Sequence, residues 1–330
     1  MPPIRLSAVL AFFLLLVAGR CISAQSQPAQ PPANTAAPSN GSQPSPDPVD
    51  DPNNPTLRVR TDLVNVIFTV TDKHGKFVRD LKKDEFRILD NNQPPRQINS
   101  FEAETNLPIR VGLLIDASNS IRDRFQFEQQ AAIEFLQQII RPRSDQAFVL
   151  AFDELWELTQ DFTNDLDKLQ KGVRIIRPGG GTAMWDAVYY ASRDKLMKTK
   201  ESGPVRRAII LVSDGDDNQS RVLRQEAIEM AQRAEVIIYT ISTNLTTNLQ
   251  DQGDKNLKML AEATGGRAFF PFKLEQLTDA FRDIQDELRS QYAVSYKPEQ
   301  LAANGQFRTI KIIPENKKFQ VRAKRGYFAR

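Results

Sequence analysis

Four short apolar runs, at 111–115, 147–152, 208–212 and 236–241, constrain this chain more than any other feature. Each is too short for a helix and apolar on both faces, the pattern of a strand buried within a parallel sheet. Helical periodicity fills the gaps between them. Phe125 to Ile140 gathers Phe125, Ala132, Phe135, Leu136, Ile139 and Ile140 on one side and stops at Arg141-Pro142. Asn164–Val173, Ala183–Met197, Val222–Ala234, Lys255–Ala263 and Leu274–Leu288 read as further helices, with Leu155–Thr159 a short edge strand and Ala268–Phe270 a last one. Repeated β-α-β units predict a doubly wound, Rossmann-like α/β domain over residues 108–288, with helices on both faces of a mostly parallel sheet.

The flanks read differently. In residues 57–106, Val64, Val66, Phe68 and Val70 alternate with polar neighbours, and short strands follow near Phe77-Val78, Phe86–Leu89 and Gln97–Phe101. Residues 289–330 return to alternation in Tyr292–Tyr296, Phe307–Ile313 and Phe319–Ala323. About three strands rarely stand alone. The two flanks are therefore expected to pair as one small β-sandwich, split around the inserted α/β domain.

Ahead of these, residues 1–24 have the order of an export signal: Arg5, the apolar stretch Leu6–Val17, then Ile22-Ser-Ala24 as a small-residue cleavage site. Lipidation at Cys21 ranks second, because Arg20 stands where a small residue is expected; an uncleaved anchor ranks below that. Residues 25–56 hold nine of the chain's 20 prolines and almost no large apolar side chain, so they read as a disordered tether. The protein is accordingly expected to be exported, whether periplasmic, cell-surface or secreted, with no transmembrane span once processed.

Composition narrows the chemistry. Cys21 is the only cysteine and would leave with the signal, and His74 is the only histidine, in the turn Asp72-Lys-His-Gly75. Thiol nucleophiles, Ser-His pairs and His-rich zinc sites are thereby excluded. A net charge of +3, well dispersed, argues against nucleic acid. No glycine-rich phosphate loop follows the first apolar strand, and no Gly-Lys-Ser/Thr occurs, which argues against a nucleotide.

The candidate site is built from oxygen. The 111–115 strand ends in Asp116, with Ser118 and Ser120 at alternate positions after it. Thr182 follows the three glycines at 179–181, and Asp214 follows the 208–212 strand within Ser213-Asp-Gly215. If the first and fourth strands are neighbours, as in doubly wound sheets, Asp116 and Asp214 end at the crevice where the strand order reverses. Carboxylates and hydroxyls without nitrogen or sulfur suit a hard divalent cation. Other groups nearby have structural readings: Asp186 favours a helix dipole, and Asp216 and Asp217 read as solvated turn acids, with a higher cation affinity or admission of Ca2+ as the alternative. Asp153, at the end of the second apolar strand, is a candidate to support the site; Trp156 and Trp185 fall near its rim, Trp185 reading first as helix packing and second as a partner-binding aromatic; and Arg206-Arg207 reads as a solvated flank.

Asp116-x-Ser118-x-Ser120, Thr182 after a glycine run and Asp214-Gly215 together resemble the metal-ion-dependent adhesion site of von Willebrand factor type A domains. Val64–Thr71, Asp84-Glu-Phe86 and Gly326-Tyr-Phe328 further resemble the secreted von Willebrand factor A-related proteins of acidobacteria. The resemblance implies a non-enzymatic binding module. Its metal ligands would be Asp116, Ser118, Ser120, Thr182 and Asp214, its cofactor Mg2+ with Mn2+ or Ca2+ as alternatives, and its partner a protein presenting an Asp or Glu carboxylate to the ion. The competing expectations are a metal-independent scaffold in the cell envelope and, below it, a metal-dependent hydrolase.

Overall fold

The computed structural model describes residues 63–104, 107–119, 125–201, 205–244, 251–271, 273–300 and 304–329; the expected export signal at 1–24, the proline-rich stretch at 25–56 and Ser120 lie outside them. Every described element belongs to one unit, Arg60–Arg330.

Apolar strands with no polar face demand cover on both sides, and they receive it. Six strands form one sheet: β4 (Ile109–Asp116), β5 (Gln146–Phe152), β6 (Trp156–Thr163), β7 (Arg206–Ser213), β8 (Val236–Ser242) and β9 (Ala268–Phe269). Their order is β6-β5-β4-β7-β8-β9, so the order reverses between β4 and β7. All pairings are parallel except that of β6 with β5. Val111, Leu113 and Ile115 point to a face covered by α1 (Phe125–Ile139), α2 (Leu166–Arg174) and α6 (Leu274–Leu288). Leu114 joins Phe148, Leu150, Ile209 and Leu211 on the other, under α3 (Met184–Tyr190), α4 (Arg224–Arg233) and α5 (Gln252–Thr264). Gly112 lies in register with Phe148, and a Cβ there would stand 2.4 Å from that ring. Glycine at this position lets the ring lie flat over β4.

The helix expected over Ala183–Met197 is α only to Tyr190; Ala191–Leu196 forms a π turn, in which Met197 N–H donates to the Ser192 carbonyl at 2.9 Å. The wider turn brings Ala191 and Leu196, five residues apart, both to full burial.

A second group of strands is antiparallel throughout. β1 (Val64–Thr71) lies between β10 (Gln291–Lys297) and β12 (Gln320–Ala323), and β10 also pairs with β3 (Gln97–Glu104). β11 (Phe307–Pro314) lies between β2 (Phe86–Asp90) and β13 (Gly326–Phe328). Between the two sheets Phe68 packs on Phe86, Phe101 and Tyr292 with ring centroids 5.3–6.1 Å apart. Asp90, also buried, accepts hydrogen bonds from Tyr296 Oη, Tyr327 Oη and Arg308 Nε at 2.8–2.9 Å. The strand expected at Phe77-Val78 reduces to a single bridge between Phe77 and Thr71. The chain there turns instead around Tyr292, whose hydroxyl donates to the Val78 carbonyl at 2.9 Å and accepts from Leu81 N–H at 3.1 Å.

α6 runs into β10 through Arg289-Ser290, and a buried polar group sits at this junction. Glu287 accepts from Tyr239 Oη (3.0 Å) and from Thr69 Oγ1 of β1 (3.3 Å), and pairs with Arg322 of β12. Arg206 is fully buried here, donating to the Leu288 carbonyl, and Arg207 Nε donates to the Leu196 carbonyl at 2.9 Å. The expectation of a solvated Arg206-Arg207 flank is thereby corrected: helix ends that the sequence places far away close over it.

Candidate metal centre

Parallel register carries the site. β4 and β7 are matched up to Ile115 and Val212, so Asp116 and Ser213 end the two strands side by side. Ser213 Oγ donates to Asp116 Oδ2 at 2.6 Å and accepts from Gly215 N–H at 3.0 Å. Asp116 Oδ1 accepts the Ser118 N–H at 2.9 Å, which turns the loop back over the strand end. Gly215, at φ +81°, sits so close to α5 that a Cβ would meet the Gly253 carbonyl oxygen at 2.2 Å. That conformation sets the direction of the loop after Asp214.

The glycine loop is sewn in from both sides. Gly179 N–H donates to the Ala117 carbonyl at 2.6 Å and Asn119 N–H to the Gly180 carbonyl at 3.4 Å. Thr182 N–H donates to Asn218 Oδ1, and its carbonyl accepts from Asn218 and Gln219 N–H, all at 3.0 Å. Asp116, Ser118, Thr182 and Asp214 are thus gathered, all buried, at the carboxyl ends of β4 and β7. The fifth expected ligand, Ser120, falls outside the described residues.

Burial pushes the Asp116 carboxyl up to about 6; the Ser213 hydroxyl bond opposes this, the negative charge of Asp214 adds to it, and bonds from Ser118 oppose it again. Among the described residues Asp116 has no ion-pair partner. A fully buried carboxylate without a cation beside it is costly unless something compensates its charge. The side chains of Asp116, Ser118, Thr182 and Asp214 offer only oxygens, and among the described residues no group of three or more His, Cys, Asp or Glu is placed to hold an ion, so an ion here would rest on hydroxyls beside two carboxylates. Two carboxylates supplemented by hydroxyls fit a hard divalent cation and fit a thiophilic one poorly.

Neighbouring acids divide into two kinds. Asp216 is exposed, and its pKa is raised by partial burial and then by Asp214, Asp251 and Asp254. Asp217 is not the solvated acid expected from its loop: its Oδ2 accepts from Trp185 N–H (3.1 Å) and Ser220 Oγ (2.6 Å), fixing the start of α3. Asp186 Oδ1 accepts from Arg221 and Val222 N–H at 3.0 and 2.8 Å, so it ties the loop before α4 to α3. Asp153 contributes its carbonyl, which accepts from Ala183 N–H at 2.6 Å. Trp185 is buried in the helix layer, while Trp156 stays partly exposed and stacks on Tyr190 at 3.6 Å. Sequence reasoning missed Ser213 and Asn218. The serine was detectable as the residue one before Asp214, but its role depends on the β4–β7 register.

Residues 111–287, more than half of the chain, match the family model of the von Willebrand factor type A domain. Human von Willebrand factor A domain-containing protein 3B is 29% identical over 169 residues, covering 48% of this chain and 12% of that protein. An uncharacterized protein of Borreliella burgdorferi is 22% identical over 221 residues, covering 63% of this chain and 62% of its own length. The chain therefore spans less than two thirds of either relative. Among solved structures, proximal thread matrix protein 1 of the mussel byssus, in a form with a zinc-occupied MIDAS motif, aligns at TM-score 0.48 and 16% identity over 60% of this chain and 50% of that one. The vWF domain of the pilus tip protein Mfa5 from Porphyromonas gingivalis aligns at TM-score 0.43 and 15% identity, over 55% and 94%.

Proposed function

Since the chain belongs to the von Willebrand factor type A family, we propose that it is an exported protein-binding module whose divalent cation captures a carboxylate of its partner. Asp116, Ser118, Ser120, Thr182 and Asp214 would hold the ion, with Mg2+ first and Mn2+ or Ca2+ as alternatives. Bound there, the ion supplies an open coordination position that an Asp or Glu of the partner completes. This chain's residues set up that position: Ser213 and Ser118 N–H orient Asp116, and Asn218 fixes Thr182 through its backbone. The observation that carries the reading is Asp116, buried with no ion-pair partner among the described residues, beside a second carboxylate.

Binding is favoured over hydrolysis because the chain's one histidine lies in an exposed turn, its N–H bonded to Asp72 Oδ1 at 2.8 Å. Export rests on the leader-like residues 1–24. Among the described residues no helix is long and apolar enough to cross a membrane.

A thermal melt of the full chain, in EDTA and then in Mg2+, Mn2+ or Ca2+, tests the reading. A cation that binds the native state alone adds about 2.7 kcal/mol at a hundred times its Kd. Wild type should melt higher with cation, and Asp116→Ala should not. Identical curves with and without cation would replace the reading with a metal-independent scaffold.

A further inference from the structure

A groove of about 690 Å³ runs along the face of the α/β domain that carries α1, α2 and α6. Its floor is apolar: Phe125 and Ile133 from α1, and Ile176 from the segment after α2. Its walls are polar and exposed, Gln126 and Gln130 on one side and Arg174 and Arg177 on the other. Gln129 Nε2 donates to the Val173 and Ile176 carbonyls at 2.7 and 3.3 Å, which fixes the distance between the walls. Arg177 Nη1 donates to the Arg174 and Ile176 carbonyls at 2.6 and 2.8 Å, so its guanidinium is held in place. Among the described residues neither Arg174 nor Arg177 has an ion-pair partner, and the Arg174 side chain has no hydrogen bond.

One end of the groove adjoins the glycine loop that packs on the candidate metal centre. Pro178, at its end, is followed directly by Gly179, which bonds to the Ala117 carbonyl. Among the described residues the groove and the α5 side present different charges, with Asp153 and Glu154 standing against Gly180 of the loop between groove and centre. Toward the groove stand Arg174 and Arg177. Toward α5 stands Asp216, with Asp251 and Asp254 close enough to act on it. The groove's two arginines attract an acidic segment, and the acids on the α5 side repel one.

We infer that this groove docks an extended acidic segment of the partner protein, the residues adjoining the carboxylate that the cation captures. The inference rests on the proposed function for that carboxylate, while the groove's own contribution is separable from it. The apolar floor takes the backbone and β-carbons, and the paired guanidiniums take side-chain carboxylates in forked, charge-assisted hydrogen bonds.

The test is fluorescence anisotropy on the full chain in millimolar Mg2+. One probe is labelled octaglutamate; the other is a labelled Gly/Ser octapeptide with a single glutamate. Octaglutamate should bind at least tenfold more tightly. Arg174→Gln/Arg177→Gln should reduce it to the level of the single-glutamate peptide without lowering the Mg2+-dependent rise in melting temperature. Lys317→Glu/Lys318→Glu, at an exposed turn elsewhere, should leave the preference intact although it removes more charge. Equal binding of the two probes, a preference that survives the Gln pair, or one that the lysine variant abolishes as well would each overturn the groove. If the Gln pair is misfolded, phenylglyoxal labelling of wild type decides: protection of Arg174 and Arg177 by octaglutamate supports the groove, and equal labelling with and without it overturns it. Asp116→Ala separates the two readings. Loss of the single-glutamate peptide alone supports both, whereas unchanged binding of both probes retires the cation and leaves the groove standing.

Discussion

At the scale of single residues, Asp116 is held by its neighbours rather than by its own strand. Asp116→Asn keeps the shape and removes the buried charge. In EDTA at pH 7 it is expected to melt no lower than wild type, and to lose the cation-dependent rise; a variant that still responds to Mg2+ would remove Asp116 from the ligand set. Ser213→Ala removes the 2.6 Å bond to Asp116 and the acceptor for Gly215 N–H. Losing a bond to a charged group costs about 1.5–3 kcal/mol, read from urea unfolding without cation, and cation affinity should fall with it because Asp116 is freed to rotate. The places of Asp116, Thr182 and Asp214 in the fold were legible because each ends or directly follows a strand or a glycine run, and Ser118 lies two residues beyond β4; their role as ligands is the proposal. Asp217 and Arg206 were not legible, and of Ser213 only the place beside Asp214 was, not its bond to Asp116. A serine after an apolar run gives no sign of what the neighbouring strand end presents to it, an acid in an Asp-rich loop reads as solvated, and an arginine before a strand reads as a flank. Only the elements that close over them reveal otherwise.

At the scale of elements, the apolar runs and helical periods located almost every strand and helix of the α/β domain, whereas the β4–β7 reversal was a condition taken over from doubly wound sheets, which the strand order meets. What escaped had too little signal. β13 is three residues long and depends on β11 for its existence, and the π turn changes no residue type. Asp145 shows how separated elements are tied together. Buried ahead of β5, it accepts from Ile109 N–H at the start of β4 (2.9 Å), from Arg141 after α1 (3.0 Å) and from Arg289 after α6 (2.5 Å). Burial alone would raise its pKa, but the bonds from Arg141, Ile109 and Arg289 together prevail and lower it. A carboxyl whose folded pKa lies below its unfolded value stabilises above the unfolded value, near 3.9, and loses that contribution as pH falls through the folded one. Urea unfolding of wild type and Asp145→Asn should therefore differ most at neutral pH and converge below about pH 4. A difference that holds constant to pH 2 would exclude the ionised carboxylate as its source. Gly112→Ala forces a methyl into the Phe148 ring and should cost about 1–3 kcal/mol; no loss would mean that the ring rotates away freely.

At the scale of the molecule, the chain's two β segments meet only because the α/β domain brings α6 back beside β1. Alternation made the segments themselves readable. Their joint anchoring was not, because it depends on Glu287 in the last turn of an otherwise ordinary amphipathic helix. That side chain is fully buried and joins Tyr239 of β8 to the paired Thr69 of β1 and Arg322 of β12, so it ties the parallel sheet to two adjacent strands of the antiparallel one at a single point. Burial, followed by the Glu287 charge, drives the Tyr239 pKa up, which keeps its hydroxyl protonated and donating. Glu287→Ala leaves that hydroxyl, Thr69 Oγ1 and the Arg322 charge without their acceptor. Breaking a buried pair in this way costs about 3–5 kcal/mol, enough to be plain in urea unfolding. Arg322 is the more exposed partner, with 31% of its side chain accessible, so Arg322→Ala should cost less than Glu287→Ala, and the double variant less than the sum of the two. Additive losses would show that Glu287 acts through Tyr239 and Thr69 alone, and that the sandwich is joined to the α/β domain by packing rather than by this ion pair.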